Sequence, residues 1–441
     1  LIWGIAVKRS IFLISVSALA LQAVSALADS NIVYLDQSGT SQDATITQSH
    51  AGFNQVGTAA NPFSQSDGSG SGHNSLTVTQ SGDHNRFAVS LPGFQSGKAN
   101  SAEVSQAGKN SSVDLQQTGT KNGVALLPWT NGSITDGIRQ DGTANGSAVT
   151  LQQNGKNNVF DIAQGGAGNR TNVSQSGNNG MIYVRQDTSL PDTTLRNPKP
   201  YKSNAGNNSS IDVNQTTTSG WTYAAVAQGG GDGNHVTIGQ NGSLLNAGVN
   251  QSGSGNVFYS SQTDNGNAAG QRTLLGPDTP IKQTGDNNSY SNFQSGNGNS
   301  ANGTQTGSFN VALNIQSGSL NELAGTQKGI GNSVSSIQSG AGEYLRYSQT
   351  STSYGNTIVS SQSGGGDDAY LTQNGNGNII NGSQSGGLLN TATAEQAGNG
   401  NTAQYAQVGS LNGLTLTQTG NGNHSVTNQT GVHNVIKVTQ H

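Results

Sequence analysis

In Asn74-Ser-Leu76-Thr-Val78-Thr-Gln80 every second residue is an amide or an apolar side chain, and the residues between them are hydroxylic. The same order recurs in Asn158-Val-Phe160-Asp-Ile162-Ala-Gln164 and Asn234-His-Val236-Thr-Ile238-Gly-Gln240. It returns in Asn412-Gly-Leu414-Thr-Leu416-Thr-Gln418 and Asn434-Val-Ile436-Lys-Val438-Thr-Gln440. Successive side chains of a strand point to opposite faces, so a period of two predicts strands whose one face reads Asn, apolar, apolar, Gln. The candidate core is therefore Leu76, Val78, Phe160, Ile162, Val236, Ile238, Leu414, Leu416, Ile436 and Val438. The opposite face is mostly Thr, Ser, Lys or Asp. Between strands, stretches such as Thr419-Gly-Asn-Gly422 carry the Gly and Asn that tolerate the positive φ of a tight reversal.

These strands belong to a repeat that opens on Gln-x-Gly-x-x-Asn. From Gln283 through Gln294, Gln305, Gln316, Gln327 and Gln338 to Gln349 the glutamines step by eleven residues, and they do so again from Gln396 through Gln407, Gln418 and Gln429 to Gln440. Their asparagine partners include Asn288, Asn299, Asn310, Asn321 and Asn332, then Asn401, Asn412, Asn423 and Asn434. Each unit predicts a strand of about seven residues and a turn of about four. One such strand cannot bury its apolar face alone. Two folded face to face give a 22-residue rung, and rungs stack about 4.8 Å apart. The fold class expected is all-β: a β-solenoid of strand-turn-strand rungs with cross-β, amyloid-like order. Roughly thirty strands would make about fifteen rungs and a rod on the order of 70 Å long. Buried Gln and Asn are costly unless hydrogen-bonded. An amide that recurs in every rung can bond to its copies above and below, which makes the Gln and Asn series candidate amide ladders.

Composition fits this reading. Only 31% of the 441 residues are apolar and 9% charged, where about 45–50% and about 25% are usual, and there are 64 glycines. Half of every strand facing water explains the first figure. The net charge is −4, with 18 Lys+Arg against 22 Asp+Glu spread thinly, so no basic stripe offers itself to nucleic acid. No cysteine is present to form a disulfide or a thiolate metal site. The seven histidines lack metal-site spacing, no G-x-S-x-G elbow occurs, and adjoining carboxylates are confined to Asp367-Asp368. No catalytic, cofactor or metal residue is therefore assigned, no small-molecule substrate is expected, and an enzyme is not the reading. Asp67, Asp83, Asp232, Asp286, Asp367 and Asp368 fall in or near turns.

Residues 1–28 differ from the rest. Lys8 and Arg9 precede the apolar run Ile11 to Ala23, and Ala26-Leu27-Ala28 supplies small residues at a cleavage site, the layout of a secretory signal peptide. The repeat then occupies 29–441, interrupted by insertions near 123–137, 187–206 and 268–280, where Pro clusters break phase. Such insertions are expected at the solenoid's turns, where extra residues cost little.

Gln305-Thr-Gly307-Ser-Phe-Asn310-Val-Ala312-Leu-Asn-Ile-Gln316 and Gln396-Ala-Gly398-Asn-Gly-Asn401-Thr-Ala403-Gln-Tyr-Ala-Gln407 resemble the repeat of curlins, the subunits of bacterial curli fibres. The resemblance implies a secreted functional amyloid of biofilm matrix and surface adhesion. Its implied partners are further copies of itself stacked end to end, an outer-membrane export pore and a surface nucleator. It also implies that turn Asp and Gly residues act as gatekeepers against premature fibre formation. This chain departs from typical curlins in carrying roughly three times their number of repeats. The alternative is a monomeric extracellular solenoid that binds a surface, as an adhesin or an ice-binding protein. Ice binding would want Thr-x-Thr pairs in neighbouring rungs, and Thr45/Thr47, Thr77/Thr79 and Thr415/Thr417 are expected not to be neighbours.

Overall fold

The computed structural model describes residues 31–39, 42–49, 53–66, 73–107, 109–120, 122, 137–140, 146–156, 159–164, 169–178, 180–186, 208–217, 222–229, 231–270, 280–352 and 354–441. The leader expected at 1–28, all of the insertion at 187–206 and most of those near 123–137 and 268–280 lie outside these residues.

Among the described residues regular structure is β throughout, in two sheets of 19 and 17 strands. Consecutive strands alternate between the sheets: Ser289–Asn297 lies in the first, Ser300–Ser308 in the second, Val311–Ser319 in the first again. Within a sheet each strand runs parallel to its copies one turn earlier and one turn later, with Gln opposite Gln and Gly opposite Gly. This is a β-solenoid, averaging roughly 23 residues per turn. The turn is 22 residues where the eleven-residue step holds. It stretches to 24 between Gln349 and Gln373, and to 23 between Gln373 and Gln396.

Many strands are longer than the seven residues expected. Val311–Ser319 spans nine, so only Leu320 and Asn321 remain before the next strand. The extra length comes from the Gln-x-Gly segment, which stays in the parallel ladder. Gly296, Gly318 and Gly340 are paired in register with φ of 93°, 103° and 152°. A Cβ on Gly296 or on Gly318 would lie 2.0 Å from the carbonyl oxygen of the next glycine in the column. Glycine is required there twice over, for its backbone angle and for the close approach.

The inward face reads as the alternation predicts. Leu76, Val78, Phe160, Ile162, Val236, Ile238, Leu414 and Leu416 are buried, while Ile436 and Val438 pack against the core with one side still exposed. Size matching runs along the stack as well as across it. Tyr347 stands beside Gly325 of the neighbouring rung and Tyr405 beside Gly382, whereas Tyr290 fills the space left by Gly303 of the facing sheet. The outward face is more apolar than Thr, Ser, Lys and Asp alone would make it. Val311, Ile337, Val359 and Ile379 are exposed there, and Tyr259 meets Phe293 with ring centroids 5.1 Å apart. β-Branched and aromatic side chains on stacked strands cover one another, so these positions gain from neighbours without being buried.

Interruptions also fall inside strands, contrary to the turn placement expected. Ala268–Ala269 and Ile281–Thr284 both pair with Asn246–Ser252, so one strand leaves the sheet and re-enters it in register. Gln55–Val56 and Phe63–Ser66 split one level of the other sheet, and Arg86–Phe87 and Phe94–Lys98 split the next. A parallel ladder restores register wherever the inward Gln regains its column, so the chain can depart mid-strand.

The Tyr–Gly fit is testable. A Cβ on Gly325 would sit 1.9 Å from Tyr347 Cζ, against 3.9 Å to the nearest atom, Val435 Cγ2, for Gly413. Gly325→Ala should destabilise the fold by about 1–3 kcal/mol and Gly413→Ala by less than about 0.5 kcal/mol, as read from denaturant unfolding midpoints.

Candidate functional site: the stacked amide ladders

A primary amide carries two N–H donors and one acceptor oxygen, and every inward glutamine must satisfy all three without water. Each does so by pointing its side-chain nitrogen the same way along the axis. In the second sheet Nε2 of Gln283 donates to Oε1 of Gln305 at 2.9 Å, Gln305 to Gln327 at 2.8 Å and Gln327 to Gln349 at 3.0 Å. The chain continues through Gln373 and Gln396 to Gln418 and Gln440, the last bond being 2.7 Å. In the first sheet Gln294, Gln316, Gln338, Gln362, Gln384, Gln407 and Gln429 form a like series, at 2.7–3.2 Å. The second Nε2 proton reaches across the core: Gln305 Nε2 lies 2.8 Å from Ser289 O and 3.1 Å from Asn310 O. Each glutamine thus ties its own column lengthwise and joins the two sheets.

The asparagines also form an amide-to-amide ladder at several levels, with Nδ2 of Asn310, Asn332 and Asn434 donating to Oδ1 of Asn288, Asn310 and Asn412 at 2.9–3.0 Å, and they add backbone bonds to it. Their Oδ1 accepts the backbone N–H of the next residue in the column: Asn310 N to Asn288, Asn332 N to Asn310 and Asn423 N to Asn401, at 3.0–3.2 Å. In the other sheet Asn321 N bonds Asn299, and Asn434 N bonds Asn412, both at 3.1 Å. The Nδ2 group caps carbonyls at the corner. For Asn299 and Asn321 these are the carbonyl four residues back, at 2.9 Å, and that of a glycine one turn on. The corner turn therefore depends on Asn as the straight segment depends on Gln. Asn288, Asn299, Asn310, Asn321, Asn332, Asn401 and Asn412 are at most 1% exposed, as are Gln283, Gln305, Gln316, Gln327, Gln396, Gln407 and Gln418. Gln294 and Gln429 are nearly as deep, whereas Asn423, Asn434 and Gln440 in the last rungs are half-buried.

Two members of the second sheet's Asn column are acids. Glu343 and Asp367 follow Asn321 and precede Asn390, and both are fully buried. Asp367 does lie in the turn between Thr357–Gly365 and Asp368–Asn374, as expected, and its side chain is buried in the core there. Both lie five residues after a column glutamine, Gln338 and Gln362, as an asparagine of the repeat would. That spacing was the signal, and the change of residue type concealed it. Asp232 and Asp286 are exposed in turns, Asp83 and Asp368 are partly exposed, and Asp67 lies outside the described residues.

The threonine pairs also need correcting. Thr45 and Thr47 are register partners of Thr77 and Thr79, because the longer loop between their strands uses up a single turn. The array stops at two rungs, since Glu103 and Ser105 follow. Among the described residues no cluster of three or more His, Asp or Glu side chains could hold a metal ion.

The described geometry of Phe94–Lys98, Ser101–Gln106 and Ser112–Thr120 is one turn of the solenoid, with Gln95 donating to Gln117 at 2.7 Å and Asn100 at its corner. Residues 94–119 match the family model of the curlin-associated repeat. This one turn is similar to a curlin repeat. No curated protein matches the chain. The curlin repeat and the solenoid built from it point to a structural protein.

If the ladders carry this solenoid, an inward glutamine should matter far more than an outward one. Gln305→Leu strands the Gln283 donor and the Gln327 acceptor and should cost about 1–3 kcal/mol. Gln404→Leu, on the exposed face, should stay within about 0.5 kcal/mol in the same unfolding assay.

Proposed function

We propose that this chain is the secreted structural subunit of a curli-like extracellular fibre, which grows by end-to-end stacking of solenoids. The observation that carries this reading is the uniformity of the stack: from Gln283 to Gln440 each rung offers its neighbour a parallel strand edge and the same inward amide, as Gln283 does to Gln305 and Gln305 to Gln327. Strand edges that repeat in this way are templates for further strands.

The one-way ladder adds a polarity. Every inward glutamine donates in the same direction, from Gln37 to Gln65 and from Gln48 to Gln80 through to Gln418 and Gln440. Each rung therefore has a donor side and an acceptor side, which favours head-to-tail addition in a single direction. By likeness to curlins, the partners would be an outer-membrane export pore and a surface nucleator, and the location the extracellular matrix.

Residues 29–441, incubated and followed by electron microscopy, should form fibres that seed fresh protein and diffract at about 4.7 and about 10 Å. Protein that stays monomeric for days and lacks both reflections contradicts the proposal and favours a monomeric surface-binding solenoid.

A further inference from the structure

In the Asn column of the second sheet, one oxygen of each acid does the work of an asparagine Oδ1. Glu343 Oε2 accepts the N–H of Asp367 at 3.1 Å, and Asp367 Oδ1 accepts both N–H and Nδ2 of Asn390 at 2.8 and 2.9 Å. The other oxygen of each stands where an asparagine carries its Nδ2 donor. Nδ2 of Asn299, Asn321 and Asn390 donates to glycine carbonyls one turn on. Glu343 Oε1 and Asp367 Oδ2 have no hydrogen-bond partner, although both residues are fully buried. They stand amid glycine backbone: a Cβ on Gly340 would lie 2.7 Å from Glu343 Oε1, 2.4 Å from Gly364 O and 3.0 Å from Gly364 N, whose N–H favours the ionised form. One on Gly364 would lie 3.2 Å from Asp367 Oδ2 and 2.3 Å from Gly387 O.

An ionised carboxylate is an acceptor only, so at these two places it could not make the bond that asparagine Nδ2 makes to a glycine carbonyl, and the charge would be held out of contact with water. A protonated carboxyl has the shape of an amide and supplies one O–H toward such a carbonyl. We propose that the Glu343–Asp367 step is a proton-operated joint in the solenoid: protonated, it copies an asparagine step and the column runs unbroken; ionised, it loosens the contact between Tyr344–Thr350 and Asp368–Asn374.

Electrostatics agree with the geometry. Burial pushes Glu343 up to about 7, with Asp367 and Asp368 adding like charge, and burial raises Asp367 as well. The strands stacked on either side bring the acids Glu322, Asp368 and Glu395, the cations Lys328 and Arg346, and Tyr344, Tyr347 and Tyr370. The facing strands Ser333–Ala341, Thr357–Gly365 and Ile379–Leu388 bring no titratable side chain. The described residues hold one ion pair, His84–Asp83, so neither cation pairs with the two carboxyls. An acid whose folded value lies above its unfolded one adds stability in full below the ordinary carboxylate range, about pH 4, and loses it as pH rises through the folded value. The joint should therefore weaken between about pH 4 and pH 7. A proton fits better than a metal ion, because the two orphan oxygens are crowded by glycine backbone and no third acidic or histidine side chain joins them in a metal-sized cluster among the described residues.

The test is backbone hydrogen exchange over residues 343–374, corrected for intrinsic rates, at pH 5 and pH 8. In the unmodified chain protection should fall about tenfold or more, while Glu343→Gln/Asp367→Asn, which installs the amides themselves, should hold it constant. A pH-independent wild type, or a fall that persists in the double variant, overturns the proposal. So does recovery of wild-type protection at pH 8 on adding calcium, since the step would then be a cation site. The readout does not require fibres, so it stands or falls separately from the assembly reading.

Discussion

A buried primary amide must find partners for two donors and an acceptor, and the rest of this structure follows from how that demand is met. Backbone carbonyls across the core take one N–H, and the partner that serves both the other N–H and the oxygen at every level is another copy of the same amide. Once Gln305 bonds Gln283 on one side and Gln327 on the other, the columns must stay aligned. Alignment fixes the parallel register, the register stacks glycine on glycine at most corners, and a Cβ added to such a glycine meets the next carbonyl, although Thr217 and Asp264 take that place at two levels. Strict Gln, Gly and Asn beside variable apolar positions is the mark of that order of constraint.

The apolar contribution is secondary in kind but still has shape. With two strands facing each other the core has no depth in which to hide a mismatch, so volume is balanced locally. Tyrosine beside glycine achieves this in three places, two along the stack and one across it. A 31% apolar composition suffices because amides satisfy one another where a globular domain would use hydrocarbon.

Much of this was legible in the residues before the structure, and the exceptions share a cause. Period-two alternation and the eleven-residue step are properties of one strand and its neighbour along the chain, and they yield the solenoid, the inward faces and the glutamine columns directly. What escaped depends on contacts between levels. Strands run to nine residues because stacked glycines keep pairing through the bend. Tyr347 needs Gly325, which lies twenty-two positions earlier. Thr45 and Thr77 meet because a loop of unusual length consumes one turn. Glu343 and Asp367 are at asparagine spacing, but reading residue type before position hid them. In a solenoid, place within the repeat outranks chemical class as a guide to environment.

The acids show how little a column must change to acquire a response. A carboxyl in place of the amide at two adjacent levels, with one further methylene in Glu343, preserves half of the hydrogen bonding and makes the other half conditional on a proton. The central claim remains the glutamine ladder, and exchange of glutamine side-chain amide protons tests it most directly. The account predicts that the Nε2 protons of Gln305, Gln327 and their column neighbours exchange orders of magnitude more slowly than those of outward Gln404. Equal and rapid exchange of inward and outward glutamine amides in the folded chain would contradict it.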